Sequence, residues 1–264
     1  MDYLGINKKL WNNRADLHYG SEFYDVDSFI KGKDSLNPIE VDLLGDITGK
    51  KILHLQCHFG QDTISLARRG ALATGIDFSE KALEKAVQLN EAAGTDARFI
   101  RSDIYRLKDY LDEKFDIVFT SYGVVGWLPD LKKWAGIVHH FLKPGGKFVM
   151  VEFHPVVWMF SDDFKRIEYN YRDSGPIVEE VEGSYADPES RIKDDSVTWT
   201  HGLSDVIDPL VKTGLRITDF REYNYSPYDC FNNTVKLAEG KYQIRGLEDK
   251  LPMIYSLVAE KIEK

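Results

Sequence analysis

The chain has 264 residues, of which 43% are hydrophobic and 12% aromatic, enough for one sizeable core with insertions and too few for two full domains. Its 34 Lys and Arg against 43 Asp and Glu leave a formal charge of −9, a mean field that repels phosphate backbones, so nucleic acid is not an expected partner. Cys57 and Cys230 lack metal-ligand or disulfide-framework spacing, and with no signal-peptide core or membrane-length apolar run the expected location is the cytoplasm, away from membranes.

Residues 1–45 hold a helix around 7–18 and a second at about 38–45 begun by Pro38, and read as a helical cap rather than a domain. Residues 46–264 are expected to form one domain with a lid insertion at 154–200. Within it, KILHLQC (51–57), ALATGID (71–77), ARFIRS (97–102), FDIVFTS (115–121) and KFVMVEF (147–153) are predicted strands. Between them lie a helix at 61–70 stopped by Gly70, one from an N-cap at Ser79 to about Ala93, and one at about 130–142 ended by Lys143-Pro144-Gly145-Gly146. This alternation is the pattern of crossover units feeding a doubly wound parallel sheet of the α/β class. Beyond 153 it fails. Short strands near 166–171 and 177–184 flank the turn Asp173-Ser174-Gly175-Pro176, predicting an inserted antiparallel hairpin. A helix at about 203–213 leads to strands 215–223 and 252–262, which are separated by an excursion at 226–250 too long for an ordinary hairpin loop.

The pieces ILHLQCHFGQDT (52–63), GIDFS (75–79), SD (102–103), FDIVFTS and LKPGG come in an order and spacing that resembles class I S-adenosylmethionine-dependent methyltransferases. The resemblance covers roughly residues 50–262 and implies a seven-stranded, mostly parallel, Rossmann-like sheet in the order 3-2-1-4-5-7-6 with the last strand antiparallel. It further implies S-adenosylmethionine as cofactor and methyl transfer as activity. The family's first motif reads acidic, apolar, then three alternating glycines; here His54, Leu55, Gln56, Cys57, His58, Phe59 and Gly60 stand at those positions. Only the last glycine is kept, and His54 replaces the acid, so the cofactor's ammonium needs backbone carbonyls or another acid, with Asp62 nearby. Asp77 follows His54 by 23 positions (77 − 54), close to the spacing at which a carboxylate takes both ribose hydroxyls of a nucleoside cofactor. Phe78 offers an apolar face to adenine, and Asp103 with Ile104 resembles the pair that bounds it. Gln56, Cys57, Gly60 and Ser121 complete the expected cofactor set, and Ser121 and Tyr122 should lie beside the sulfonium at the switch point between strands 1 and 4.

Sulfonium transfer needs positioning more than machinery. A base is required only where the acceptor must lose a proton, and Tyr122, Glu152, His154 and His201 are the expected catalytic polar groups, with His58 a further candidate. Segments 154–200 and 226–250 both leave the carboxyl edge of the sheet and should cover the site together with the N-terminal cap, enclosing a small-molecule acceptor. No metal-ligand cluster is visible and none is expected. QCHFGQ does not supply the GxGxxG of a nicotinamide dehydrogenase. A non-catalytic protein that binds S-adenosylmethionine or S-adenosylhomocysteine is the alternative, raised by the missing glycines. The acceptor and the oligomeric state are not legible.

Overall fold

In the computed structural model, which describes residues 1–262, the chain runs α1 (Tyr3–Tyr19), α2 (Val26–Ile30), α3 (Pro38–Leu44), β1 (Lys51–Leu55), α4 (Gln61–Arg68), β2 (Leu72–Asp77), α5 (Glu80–Ala92), β3 (Arg98–Arg101), β4 (Phe115–Ser121), α6 (Leu131–Phe141) and β5 (Leu142–Phe153). Then come β6 (Ile177–Glu182), β7 (Lys193–Thr198), α7 (Leu203–Lys212), β8 (Leu215–Tyr223), β9 (Thr234–Ala238), β10 (Lys241–Ile244) and β11 (Ile254–Lys261). Seven strands form one sheet in the order β3-β2-β1-β4-β5-β11-β8. β1 to β5 are parallel, and β11 is antiparallel to both of its neighbours. This is the doubly wound architecture and strand order expected.

Alternation along the strands makes a core on each face. In β5, Phe148 and Met150 meet Trp134, Val138 and Leu210 on one side, while Val149 and Val151 meet Phe29, Ile39 and Ile64 on the other, as a period of two requires. The Ser79 hydroxyl caps α5 by accepting from the Ala82 amide at 3.1 Å, as expected, and Gly94 takes a φ of 66° just beyond its end, where a glycine stops the helix. No helix among the described residues is long and apolar enough to cross a membrane.

The inserted hairpin differs from the sequence expectation. Residues 166–171 form no strand; Ile167 makes only an isolated bridge to Phe160. The partner of β6 is β7, from Ile177↔Thr198 to Glu182↔Lys193. The sequence of β7, KDDSVT, reads as loop because its polar residues have no local reason to be extended, but α1 supplies one. The buried Asp194 accepts from Asn13 Nδ2 at 2.9 and 3.0 Å. Asn7 makes a two-way pair with the backbone of Val197: its Nδ2 donates to the carbonyl at 2.7 Å and its Oδ1 accepts from the amide at 2.9 Å. A second hairpin, β9–β10, occupies the 226–250 excursion, and α2 is an additional short helix.

Candidate functional site

The first βα turn sets the geometry of the carboxyl edge. Gln56, His58 and Gly60 have φ values of 55°, 51° and 83°, so the backbone keeps the left-handed conformations of a glycine-rich loop with side chains at two of the three positions. For a non-glycine residue each such conformation costs about 1 kcal/mol or more. Gly60 must remain glycine for a second reason: a Cβ there would lie 2.6 Å from the Phe99 ring. The loop is tied to the end of β2 by Asp77, whose Oδ2 accepts from the His58 amide and whose Oδ1 accepts from the Ser79 amide, both at 2.9 Å. Burial pushes the Asp77 carboxyl up to about 6.

A cavity of about 1310 Å³ opens over this edge. Gln56, Cys57, Gly60, Asp62, Asp77, Phe78, Ser121, Tyr122, Glu152 and His201 all line it, as does His54 at the motif's acid position. A second compartment of about 40 Å³ holds Asp103 and Ile104, together with Tyr3, Leu4 and Asn7 of α1. Gln56, Asp77, Phe78 and Trp127 border both. Asp103 caps the following 3₁₀ turn through Oδ1, which accepts from the Tyr105 amide at 3.1 Å; among the described residues nothing donates to its Oδ2.

His54 cannot replace the missing charge. Burial holds its ring far below the ordinary histidine value, at about 3, and its Nδ1 pairs with Thr63 Oγ1 at 2.8 Å. Negative charge is supplied nearby instead. Asp62 accepts from Ser121 Oγ at 3.0 Å, and burial raises its carboxyl. Beside it lies Glu40 of α3, which the sequence reading missed. Burial, with the Asp62 charge, pushes Glu40 up to about 7. Its Oε2 is buried without a donor, and the Tyr122 hydroxyl faces it without a well-aligned hydrogen bond. Asn37 donates to Glu40 Oε1 at 3.3 Å.

Because the native pKa of Glu40, about 7, lies above its ordinary 4.5, the native state binds more protons between those values, and stability falls as pH rises through that window. Glu40→Gln is expected to remove that decline and to raise the stability of the ligand-free protein near pH 8 by about 2–3 kcal/mol relative to the parent. Urea unfolding near pH 5 and pH 8 measures it; a parent and variant that change in parallel between the two pH values would rule out this role for Glu40.

The four expected catalytic groups separate. Tyr122 sits at the end of β4 with φ 29°, its hydroxyl buried. His201 lines the cavity with Nε2 fixed on the Leu128 carbonyl at 2.8 Å. Both oxygens of Glu152 are taken by backbone: Gly123 and Phe153 donate to Oε1, and Val124 and Val125 to Oε2 at 2.8 and 3.2 Å. That arrangement gives Glu152 a positioning role for the loop after β4 and no free lone pair directed at a substrate. His154 is not brought to the cavity. Its Nδ1 accepts from the Val156 amide at 3.2 Å and its Nε2 lies 2.9 Å from Glu222 of β8, because β11 and β8 draw this end of β5 toward the far edge of the sheet. His58, in contrast, is central: its Nε2 lies 2.9 Å from His18 Nδ1, and His18 Nε2 lies 2.6 Å from Ser184 Oγ. Burial holds both rings neutral, at about 3 for His58 and about 2 for His18.

The residues fit a nucleoside cofactor bearing an amino-acid tail. Asp77 retains acceptor capacity toward two hydroxyls, Asp103 Oδ2 and the buried, donor-free Gln56 Oε1 border the smaller compartment, and Asp62 with Glu40 offers negative charge to a cation.

Comparison with known proteins agrees. A family model described as a methyltransferase domain matches residues 52–146. An uncharacterized methyltransferase from Synechocystis sp. is 33% identical over 133 residues, covering 50% of this chain and 60% of that protein. A ubiquinone biosynthesis O-methyltransferase from Pseudomonas syringae pv. tomato is 28% identical over 144 residues, covering 53% of this chain and 62% of its own length. The chain thus spans about three-fifths of the length of the curated relatives it matches. Among solved structures, an S-adenosylmethionine-dependent methyltransferase from Clostridium acetobutylicum superposes with a TM-score of 0.59 at 18% identity, covering 97% of this chain and 99% of the other. One from Mesorhizobium loti gives 0.58 at 22% identity, covering 88% and 99%. Residues 52–146 thus match a methyltransferase domain, and the chain as a whole shares the fold of S-adenosylmethionine-dependent methyltransferases.

Proposed function

We propose that this protein transfers the methyl group of S-adenosylmethionine to a small-molecule acceptor held in the large cavity. The observation that carries the reading is the convergence of α1, the 154–200 insertion and the 226–250 excursion over the carboxyl edge, where Trp11, Tyr185 and Tyr228 line the same cavity as Asp77 and the 56–60 loop. When bound, the cofactor supplies an activated methyl group. Asp77 holds the ribose by accepting its hydroxyls, Phe78, Asp103 and Ile104 bound the adenine, and Asp62 with Glu40 balances the ammonium that the first motif no longer meets with an acid. Glu152 fixes the Tyr122–Val125 loop, and Tyr122 and His201 present the polar groups nearest the enclosed space. The aromatic walls exclude water and orient the acceptor, and orientation alone is worth up to ~7–11 kcal/mol of a barrier.

S-adenosylhomocysteine is expected to bind in calorimetry, and S-adenosylmethionine with a panel of small phenols and organic acids to release S-adenosylhomocysteine. No heat with either nucleoside removes the reading. The side chains added at Gln56 and His58 favour one alternative, a protein that binds the cofactor without turnover; binding with no product across the panel selects it.

A further inference from the structure

Arg14 stands apart from the other cations near the cavity. It is buried, 9% exposed, and it lines the 1310 Å³ space. Among the described residues no carboxylate lies within ion-pairing distance and no hydrogen bond reaches its guanidinium; Nε is fully buried without a partner. The Trp11 ring lies 5.7 Å from its Cζ. Asp194, the nearest acid by charge, is already taken by Asn13 and by Lys9 at 3.3 Å. The neighbouring imidazoles of His18 and His58 are neutral, so Arg14 faces uncharged aromatic walls. Burying a cation without a counter-charge is strongly unfavourable, and a guanidinium is a planar fork that matches a carboxylate through two parallel hydrogen bonds. Aromatic groups from Trp11, Tyr24 and Tyr185 enclose the space around it, which suits a small organic molecule carrying the acid.

We propose that Arg14 is a carboxylate-docking residue, receiving the acid group of a small molecule bound in the cavity. The inference deepens the methyltransferase reading and rests on it for the identity of the ligands: the acid belongs either to the methionine part of the cofactor or to the acceptor. The assignment explains why an otherwise unpaired charge is kept at the wall of the site, on the helix that also borders the smaller compartment.

Calorimetry on the parent, Arg14→Gln and Arg14→Lys distinguishes the sources. S-adenosylhomocysteine, its decarboxylated analogue, and benzoate added to the S-adenosylhomocysteine-loaded protein are the probes. If the acid is the cofactor's, Arg14→Gln lowers S-adenosylhomocysteine affinity about tenfold or more, leaves the decarboxylated analogue unchanged, and Arg14→Lys recovers part of the loss. If it is the acceptor's, nucleoside affinity stays constant and benzoate binding is lost in Arg14→Gln. Unchanged affinity for all three probes in folded Arg14→Gln and Arg14→Lys overturns the proposal. A parent that binds no S-adenosylhomocysteine defeats the functional reading instead, and benzoate titrated into the unliganded parent and variants then decides Arg14 separately.

Discussion

Asp77→Asn is expected to leave the protein folded while weakening S-adenosylhomocysteine binding by about ten- to hundredfold, the range for losing hydrogen bonds to a charged acceptor. Each oxygen of Asp77 already accepts one backbone amide, and an ionised carboxylate has room for further donors, whereas an amide turns one of its two ends into a donor. The substitution therefore opposes a ribose hydroxyl with an N–H while leaving one backbone contact in place. Burial pushes this carboxyl up to about 6, and only the ionised form accepts two hydroxyls at once. Parent affinity should rise as pH increases through 6 and then level, and the variant should lose that dependence. Calorimetry near pH 5 and pH 7.5 reads both effects. Equal affinity of parent and folded variant at both pH values would falsify the ribose assignment.

Glu152→Ala is expected to cost roughly 3 kcal/mol or more of stability and to abolish turnover. Four backbone amides, those of Gly123, Val124, Val125 and Phe153, converge on this one buried carboxylate, and alanine would leave them without an acceptor. Loop 122–125 carries Tyr122 and the carbonyl of Val124 that receives Gln56 Nε2 at 3.1 Å, so its loosening reaches both compartments. Glu152→Gln should fall between, since it retains an acceptor oxygen but places an NH₂ against amide donors. A proton-abstracting Glu152 would behave differently, with Glu152→Gln abolishing kcat at an unchanged denaturation midpoint. Denaturant unfolding and the kcat of the two variants separate the two roles.

The sheet was legible because its signals are local. Period-two apolar runs, Ser79 and the glycines at helix ends act on their own neighbours in sequence, and Phe115–Ser121 is a strand over the limits expected. The turn positions 56–60, Asp62, Asp77 and Ser121 followed from spacing along those elements. The rest depends on contacts between distant segments. β7 has a loop-like sequence and is held extended by Asn7 and Asn13 of α1, so the true partner of β6 was hidden, and the turn at Asp173–Pro176 pointed to the wrong strand. Glu40 and Arg14 lie on helices whose charged residues ordinarily face water; burial comes from the 226–250 excursion and the insertion, which no helical periodicity encodes. The β9–β10 hairpin did carry a signal, Glu239-Gly240 between alternating residues, with Gly240 at φ 63°. His154 shows the converse error: proximity in sequence to the carboxyl edge does not decide which way a side chain turns once an antiparallel neighbour takes the strand end.

The pairing of Asn7 with Val197 also orders events on the ribosome. The two residues lie 190 positions apart, and at about 5–20 residues per second synthesis takes roughly 10–40 s to pass from one to the other. Through that interval α1 exists without β7, one of the elements it packs against, and has α5 and the 56–60 loop as supports. The nascent chain thus completes the floor of the cavity, at β1, β2 and β4, long before the wall bearing Arg14 can be fixed. An arrest anywhere before β7 leaves Asn7 and Asn13 without their partners Val197 and Asp194, so α1 is sealed only after the parallel strands of the sheet have been made.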